Sequence, residues 1–415
     1  MRARKQFLAS AVLLVIGLAS LWSKWNGNAG ISAGYPISRW TVSFNGSVHG
    51  WPAMIGVPAL LAGIITFLIA LISRSDGLTT LLIVVGNYGG QRSRGTFPLQ
   101  SSFMLMNEKD ILKLLPHPTK PPQYTSRRIG IHTSTAGGVH NAAERGYRLG
   151  CNALQIFSSS PRQWAPYLLQ PGHVSEMIRL RRLYDLKPLV IHANYLVNLA
   201  GGNPDFHTKS TAAFRGEIER ALALQANYLI LHSGSFRGAT RDIGLQRAAS
   251  AIVQAADDLD LKAGKLRILI ENTAGSEFSL GGNFEQVAEL IYLLRNYVPC
   301  GACIDTCHTH VAGYDIVTKA GYDATLAQLD QTVGLKNVYV WHCNDAKAAC
   351  GSKLDRHQHI GKGTIGLKPF RRLLNDPRLA RAAFIAETPI DGPLDDFTNV
   401  NTLKKLVRRE CEAPH

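Results

Sequence analysis

The sequence predicts an α/β protein whose catalytic part is a (β/α)8 TIM barrel. Eight short apolar runs, each followed by a stretch of helical pattern, occupy the chain after residue 127. Continuous apolar strands that alternate with helices are typical of a parallel sheet covered on both faces. Eight such units over roughly 250 residues match the size of this barrel, whose active site lies at the carboxyl ends of the strands.

Six of the eight runs end on a residue type that commonly binds metal ions. The clearest is the run 301–304, which stops at Asp305 and is followed three residues later by His308. The other five are 188–192, 228–232, 267–271, 337–342 and 383–387, and the runs 129–132 and 153–157 complete the set of eight. Because strand ends converge in a narrow ring, we expect these terminal side chains to share one site.

The charges at the strand ends indicate metal. Glu271, Asp305 and Glu387 place three carboxylates there, and like charges in a dry cleft cannot all ionise without compensation. The strand ends supply histidine, and neutral imidazole with carboxylate is the usual ligand set of Zn²⁺, which also suits Mn²⁺ and Fe²⁺. The candidates are His192, His232, Glu271, Asp305, His308, His342, Asp355, His357 and Glu387. This set exceeds the needs of one tetrahedral ion and suits two or three ions of the kind that cleave phosphoesters.

Two loops that follow strands carry residues suited to DNA. Arg162 and Trp164 follow the second run, and an arginine beside an aromatic ring suits phosphate contact and base stacking. Tyr195 and Leu196 follow His192 and could wedge into a DNA helix. On these residues alone, a surface arginine beside a packed tryptophan explains the first loop equally well.

The charge balance and the cysteine content indicate which partners and which cellular compartment suit the chain. The chain carries 45 Lys and Arg against 30 Asp and Glu, a formal net charge of +15. A surplus of this size fits a polyanionic partner such as nucleic acid, or an anionic membrane surface. Seven cysteines is an odd number, which argues against a disulfide scaffold and predicts reduced thiols in a cytosolic setting.

The N-terminal part differs in composition from the rest and contains two apolar segments. Residues 7–22 follow a basic start and suit a signal-peptide core or a membrane segment. Residues 51–73 contain no charged residue and are long enough to cross a bilayer as a helix. Basic residues flank the pair on its outer sides, which predicts that both ends are cytoplasmic. We therefore expect a cytoplasmic catalytic domain anchored to the inner face of the membrane.

Three regions follow from this pattern. Residues 1–86 hold the apolar segments, residues 87–127 have the Gly, Ser, Arg and Pro content of a linker, and residues 128–410 form the barrel. A second interpretation starts the protein at Met104 or Met106, which makes residues 1–105 a non-native extension.

Several motifs of the barrel region occur in a fixed order. They are Ile129-Gly-Ile-His132 with Ala136-Gly-Gly138, Arg162-Gln-Trp164, His192-x-x-Tyr195-Leu-x-Asn198, Glu271-Asn-Thr-Ala-Gly275, Cys303-Ile-Asp-Thr-Cys-His308, His342-x-Asn-Asp-Ala-Lys347 and Asp355-Arg-His357. In this order they resemble endonuclease IV, the family-2 apurinic/apyrimidinic endonucleases. The resemblance runs from about residue 128 to residue 406, and the N-terminal region has no counterpart in that family.

The resemblance implies a trinuclear zinc enzyme of base-excision repair that acts on double-stranded DNA. It implies one ion on His192, His232 and Glu271, a second on Glu271, Asp305, His342 and Glu387, and a third on His308, Asp355 and His357. Glu271 would be the bridging, catalytic ligand. Arg162, Tyr195 and Leu196 match family residues that enter the bent DNA.

By the same resemblance, a hydroxide held between the first two ions attacks the phosphate 5′ of an abasic site. The products would be a 3′-hydroxyl and a 5′-deoxyribose phosphate, and blocked 3′ ends would be removed by the same chemistry. We expect the barrel to act as a monomer. His232 is followed by Ser-Gly-Ser, where the family usually has Pro-Gly-Ser, so the fourth loop is expected to differ.

Two other functions fit part of the pattern. A sugar isomerase or epimerase of the xylose-isomerase type shares the barrel and places Glu, Asp and His at strand ends. It normally needs fewer ligands, so His308, Asp355 and His357 argue against it. A membrane-tethered protein that binds abasic DNA without cutting it is the non-enzymatic alternative, and the complete ligand set argues against lost chemistry.

Overall fold

The computed structural model describes residues 28–33, 40–45, 127–164 and 168–408. The chain divides into two compact units, Met1–Asn107 and Glu108–His415. In the first unit, β1 (Asn28–Ala33) and β2 (Trp40–Asn45) pair as an antiparallel ladder.

The apolar segments predicted at 7–22 and 51–73 lie outside the described residues, and so does the predicted linker 87–127 except for Arg127. Among the helices that the structure describes, none combines the length and the apolar character needed to cross a membrane.

The second unit is built around a parallel sheet of eight strands. They are β3 (Arg128–Ile131), β4 (Leu154–Phe157), β5 (Leu189–His192), β6 (Tyr228–His232), β7 (Arg267–Glu271), β8 (Cys300–Asp305), β9 (Val338–His342) and β12 (Ala383–Ala386). A separate two-residue ladder joins β10 (Asp345–Ala346) to β11 (His357–Gln358) in the loop after β9. The predicted barrel is confirmed, and each strand lies within about one residue of its predicted run.

The ring of strands closes between β3 and β4. The hydrogen-bonded order is β3-β12-β9-β8-β7-β6-β5-β4. The first and last strands of this order meet through a parallel bridge between His132 and Gln155, and the Thr133 N–H donates to the Gln155 carbonyl oxygen at 2.9 Å. The carboxyl ends of all eight strands therefore open on one face.

Helices cover the outside of the barrel. They are α1 (Val139–Arg148), α2 (Pro171–Leu183), α3 (Pro204–Ala223), α4 (Arg241–Ala256), α5 (Phe284–Leu294), α6 (Thr306–Ala312), α7 (Lys319–Thr332), α8 (Leu367–Leu374) and α9 (Asp395–Leu406). Side-chain caps explain four of the starts, because Asn203, Thr240, Asn283 and Thr318 each accept a hydrogen bond from a backbone N–H of the first turn.

Two apolar clusters explain why the strands are apolar along their whole length. Val190, Ile230, Leu269 and Val340 point into the barrel and form an inner cluster with Ala153, Cys303, Ala383 and Ile385. The alternate strand residues, such as Ile191, face the helices and belong to the larger outer cluster. Because both faces are covered, no polar alternation remains in the sequence.

Close contact between strands β3 and β4 requires glycine at position 130. A Cβ added there would lie 2.4 Å from the Ala153 carbonyl oxygen and 2.9 Å from the Ile385 side chain. We expect Gly130→Ala to lower the free energy of unfolding by about 1–3 kcal/mol, because backbone atoms cannot move aside cheaply. Chemical denaturation of the full chain measures this change.

Gly172→Ala is the matched control. It lies in the first turn of α2 and a Cβ there meets no atom within 4 Å, so stability should be unchanged or slightly raised. Equal stability of the two variants would show that a Cβ at position 130 fits between the strands without cost.

Candidate metal centre

Glu271 lies at the centre of a cluster of histidines and carboxylates at the carboxyl ends of the strands. It ends β7, and its side chain is fully buried. Its Oε2 atom lies 3.2 Å from His192 Nε2 and 3.5 Å from His232 Nε2, and its Oε1 atom lies 2.8 Å from His342 Nδ1. Neighbouring strands in register place these ends side by side, as in the pairing of His232 with Glu271.

Two groups of ligand atoms share Glu271. The atoms of His192, His232 and Glu271 lie within 4.8 Å of one another, and so do those of Glu271, Asp305, His342 and Glu387. A carboxylate with two oxygens turned to different partners can bridge two ions.

A third group lies beside the first two. His308, in the first turn of α6, has its Nε2 atom 3.1 Å from Asp355 Oδ2, and His357 Nε2 lies 3.4 Å from Asp355 Oδ1. Asp305 also borders this group, together with His308 and His357. The structure thus brings all nine candidate ligands into one continuous cluster.

Backbone carbonyl oxygens orient three of the imidazole rings. His192 Nδ1 lies 2.8 Å from the Ala193 oxygen, His308 Nδ1 lies 2.9 Å from the Asn272 oxygen, and His357 Nδ1 lies 3.0 Å from the Glu387 oxygen. A carbonyl oxygen only accepts, so each Nδ1 carries a proton. In the neutral ring, the Nε2 lone pair then faces the cluster.

The residues present fit divalent metal ions. The Nε2 atoms of His308 and His357 are buried and have no hydrogen-bond partner, although carboxylate oxygens lie close to both. A buried lone pair that faces a carboxylate is unfavourable unless a cation lies between them. Imidazole and carboxylate without thiolate are ligands that Zn²⁺, Mn²⁺ and Fe²⁺ accept.

Two buried thiols border the cluster. Cys303 Sγ lies within 4.8 Å of ligand atoms of Glu271 and His342, and Cys307 Sγ has the same relation to Asp355 and His357. Burial raises the pKa of Cys303 to about 12 and raises the pKa of Cys307 as well. Both therefore remain protonated thiols at neutral pH and pack as small core residues.

The electrostatics of the cluster favour charged histidines beside ionised carboxylates. Burial opposes ionisation of Glu271, yet the His342 and His232 imidazoles outweigh it and hold the pKa of Glu271 well below its usual range. Burial also disfavours a charged His308, but the Asp305 and Asp355 carboxylates outweigh it and raise the pKa of His308 to about 10. Without a metal ion, protonated histidine would balance the carboxylates.

Asn344 links two of the candidate ligands, although its role was missing from the sequence-based prediction. Its Nδ2 atom donates to Asp305 Oδ2 at 2.6 Å, and its Oδ1 atom accepts from the Glu387 backbone N–H at 2.7 Å. The available signal was its position two residues after His342, at the carboxyl end of a strand. The contacts of Gln155 with candidate ligands were also missing from the prediction. The available signal was its polar side chain within an apolar run.

The residues predicted to contact DNA lie on two loops that touch each other beside His192. Arg162 is exposed, and Tyr195 is 59 % exposed, with its ring centroid 5.9 Å from that of His192. The Tyr195 N–H donates to the Pro161 oxygen at 3.2 Å, and the Leu196 N–H donates to Asn194 Oδ1 at 2.7 Å.

Trp164 is packed rather than presented to a ligand. The Lys209 ammonium lies 4.7 Å from its ring centroid, and its ring meets that of Phe206 edge-on at 5.2 Å. The structure therefore packs Trp164 against Lys209 and Phe206 and leaves Arg162 exposed on the same loop.

Comparison with known proteins identifies the family. The model of the xylose isomerase-like TIM barrel family matches residues 143–411. A probable endonuclease 4 of Solibacter usitatus (strain Ellin6076) is 44 % identical over 289 residues, which are 69 % of this chain and 99 % of that protein. A probable endonuclease 4 of Chloroflexus aurantiacus is 39 % identical over 282 residues, 68 % of this chain and 98 % of the relative. The chain belongs to the endonuclease IV family.

Solved structures agree with this assignment. Endonuclease IV from Thermus thermophilus superposes with a TM-score of 0.59 at 36 % identity, over 67 % of this chain and 98 % of that chain. A xylose isomerase-like protein from Rhodospirillum rubrum has a TM-score of 0.53 at 14 % identity, over 67 % and 99 %, and shows the shared fold alone. The resemblance to endonuclease IV is confirmed, and the chain is an enzyme of this nuclease family.

The shifted pKa values predict how zinc binding depends on pH. In the metal-free chain His308, with a pKa of about 10, carries a proton at neutral pH that a metal ion must displace. The shift stabilises the metal-free fold fully below the ordinary histidine pKa of about 6.5, and this stabilisation is lost as the pH rises through the shifted value. We therefore expect zinc binding at about pH 8 to release protons and to tighten as the pH rises.

Calorimetric titration with zinc in buffers of different ionisation enthalpy measures this release. His207→Asn is the control, because His207 lies on α3 and its Nε2 bonds the Leu199 oxygen, away from the cluster. A binding heat that is the same in every buffer would contradict the protonated state of the metal-free site.

Proposed function

We propose that this enzyme hydrolyses the phosphodiester 5′ of abasic sites in double-stranded DNA, leaving a 3′-hydroxyl and a 5′-deoxyribose phosphate. The observation that carries the proposal is the convergence of nine histidine and carboxylate ligands around Glu271 at the open end of the barrel. Relatives at 36–44 % identity that are named probable endonuclease 4 support the same substrate class.

Three zinc ions would occupy the cluster, with Mn²⁺ or Fe²⁺ as substitutes. His192, His232 and Glu271 would hold one ion, Glu271, Asp305, His342 and Glu387 a second, and His308, Asp355 and His357 a third. Bound zinc would supply a nucleophile at neutral pH and would offset the negative charge on the phosphate. The chain contributes fixed ligand directions, through carbonyl oxygens on Nδ1 of three rings and through Asn344 on Asp305.

Arg162, Tyr195 and Leu196 would enter the DNA at the lesion. They project from two adjoining loops beside His192, so a side chain inserted into the duplex would bring the neighbouring phosphate to the cluster. An arginine suits the backbone phosphates, and a tyrosine and a leucine suit the space left by a missing base. The net charge of +15 favours a polyanion in general.

The same site would remove blocked 3′ ends, because removing such an end also cleaves a phosphoester next to an unpaired sugar.

We further propose that the barrel is monomeric and cytoplasmic, and that residues 51–73 attach it to the inner face of the membrane. The length and lack of charge of that segment support the attachment. The Rhodospirillum structure, at 14 % identity, shows the shared fold alone and gives no support to a sugar isomerase.

Glu271→Gln is expected to abolish incision of a duplex that carries one abasic site, with a loss of at least about 1,000-fold. An amide cannot bridge two ions as a carboxylate does, and ligand changes of this kind remove the transition-state charge that the site provides. Gel analysis of cut strands, using the full chain loaded with zinc and a chelator-treated sample, measures the effect.

Glu289→Gln on helix α5 is the matched control and should cut at the native rate. Full activity of Glu271→Gln would refute the proposal. A native chain that binds zinc, leaves abasic DNA intact and isomerises a free sugar would establish the isomerase instead.

Tyr195→Ala should weaken incision by about 5- to 150-fold, mainly through KM, if its ring stacks in the duplex, where a stacked base is worth about 1–3 kcal/mol. Steady-state kinetics on abasic DNA, with the zinc content measured in parallel, tests this. Tyr297→Ala is the control, since that tyrosine is 67 % exposed in the turn before β8, at the other end of the barrel. Unchanged kinetics of Tyr195→Ala would exclude insertion of this ring.

A further inference from the structure

Gln155 contacts two of the candidate ligands at once. It is fully buried on β4, in a strand that is otherwise apolar. Its Oε1 atom lies 2.9 Å from His342 Nε2. Its Nε2 atom donates to Glu387 Oε1 and lies 3.0 Å from His132 Nδ1. His342 and Glu387 come from β9 and from the end of β12, so one amide joins three separate strands.

We propose that Gln155 is a positioning residue that sets the proton position of His342 and the orientation of Glu387, and so determines the affinity of the metal ion that these two ligands share. The inference rests on the proposed function only in requiring that the cluster binds metal ions. It does not depend on abasic DNA as the substrate.

The direction of the amide follows from its neighbours. A carboxylate only accepts hydrogen bonds, so the NH₂ group of Gln155 must face Glu387. The oxygen of the amide then faces His342 Nε2, which must carry a proton to donate to it. In the neutral ring that would bind a metal ion, the lone pair of His342 then lies on Nδ1, the atom that faces Glu271 Oε1 at 2.8 Å and Glu387 Oε2 at 3.2 Å. The reversed amide would set an oxygen against the carboxylate.

This arrangement differs from that of the other oriented ligand rings. His192, His308 and His357 donate Nδ1–H to backbone carbonyl oxygens, which no substitution removes, and present Nε2. His342 alone among these four relies on a side chain and presents Nδ1. Its orientation can therefore be tested by changing one residue that is not itself a ligand.

The interior position of Gln155 argues for this role over a packing role. Ala153, two residues earlier on the same side of β4, lies in the inner apolar cluster. An apolar side chain at position 155 would continue that cluster. A buried amide is costly unless its groups are hydrogen-bonded, and here every partner belongs to, or touches, the candidate ligands.

The test is zinc binding by the full-length chain carrying Gln155→Met, which keeps the volume and removes the hydrogen bonds. Zinc content is measured by mass spectrometry after equilibration with chelators of graded strength. We expect the affinity for one ion to fall about 10- to 100-fold, as for other residues that orient metal ligands, and the remaining ions to stay at native affinity. Gln155→Glu, which retains the acceptor for His342 but sets a carboxylate oxygen against Glu387, should bind that ion at least as weakly as Gln155→Met.

Gln328→Met is the matched control, because Gln328 also donates to a carboxylate, that of Glu285 at 3.0 Å, on the outer helices. It should bind every ion with native affinity. Native zinc binding by Gln155→Met would overturn the proposal. An equal weakening of all ions, together with a lower melting temperature of the metal-free variant, would show a merely structural role and also overturn it.

Nitrogen-15 NMR of the zinc-loaded native chain tests the proton position without relying on a variant that must fold. We expect one zinc-bound imidazole with its proton on Nε2, and Nδ1 protons on the rings that backbone carbonyls orient. Nδ1 protons on every zinc-bound ring would overturn the proposal. If the chain binds zinc as described but leaves abasic DNA intact, the proposed function fails while the role of Gln155 stands.

Discussion

Mutual repulsion among buried carboxylates is the constraint on which the rest of this structure depends. Glu271, Asp305 and Glu387 meet at the open end of the barrel, the first two with no exposure to solvent. Water cannot screen charges there, so cations must do so. Histidines surround the carboxylates, and they supply either a proton or a ligand lone pair. Protonated histidines can therefore balance the carboxylates, and bound cations would do the same.

The barrel provides the rigidity that such a balance needs. Strands in parallel register bring residues from distant parts of the chain to one height, and their backbone carbonyl oxygens orient three rings without using any further side chain. The side chains of Asn344 and Gln155 join further candidate ligands that no backbone carbonyl oxygen orients. The loops that carry Arg162 and Tyr195 lie beside the strand ends, and the side chain of Asn194 joins the two loops by donating to the oxygens of Ser160 and Gln163.

Local pattern was enough to predict the barrel and the strand-end ligands. Except for 153–157, each apolar run is a short stretch with a polar residue at or just after its carboxyl end, so adjacent residues carry the whole signal. Asp355 and His357 are different, since they lie beyond the end of β9. Their residue types made them candidates, and the resemblance to endonuclease IV implied that they share one ion with His308. The contacts of Gln155 could not be predicted in this way. Its partners His342 and Glu387 follow 187 and 232 residues later in the chain, and only the closed ring makes them neighbours.

The spread of the ligands along the chain has a consequence for biosynthesis. Strand β5 contributes His192, whereas Glu387 follows the eighth and last strand of the barrel. A nascent chain emerging from the ribosome can expose several of the histidines well before Glu387 exists. The cluster around Glu271 is then complete only when the ring of strands closes. If it binds metal ions as proposed, full metal loading would require that synthesis and folding of the whole barrel have finished, and a truncated chain would bind fewer ions.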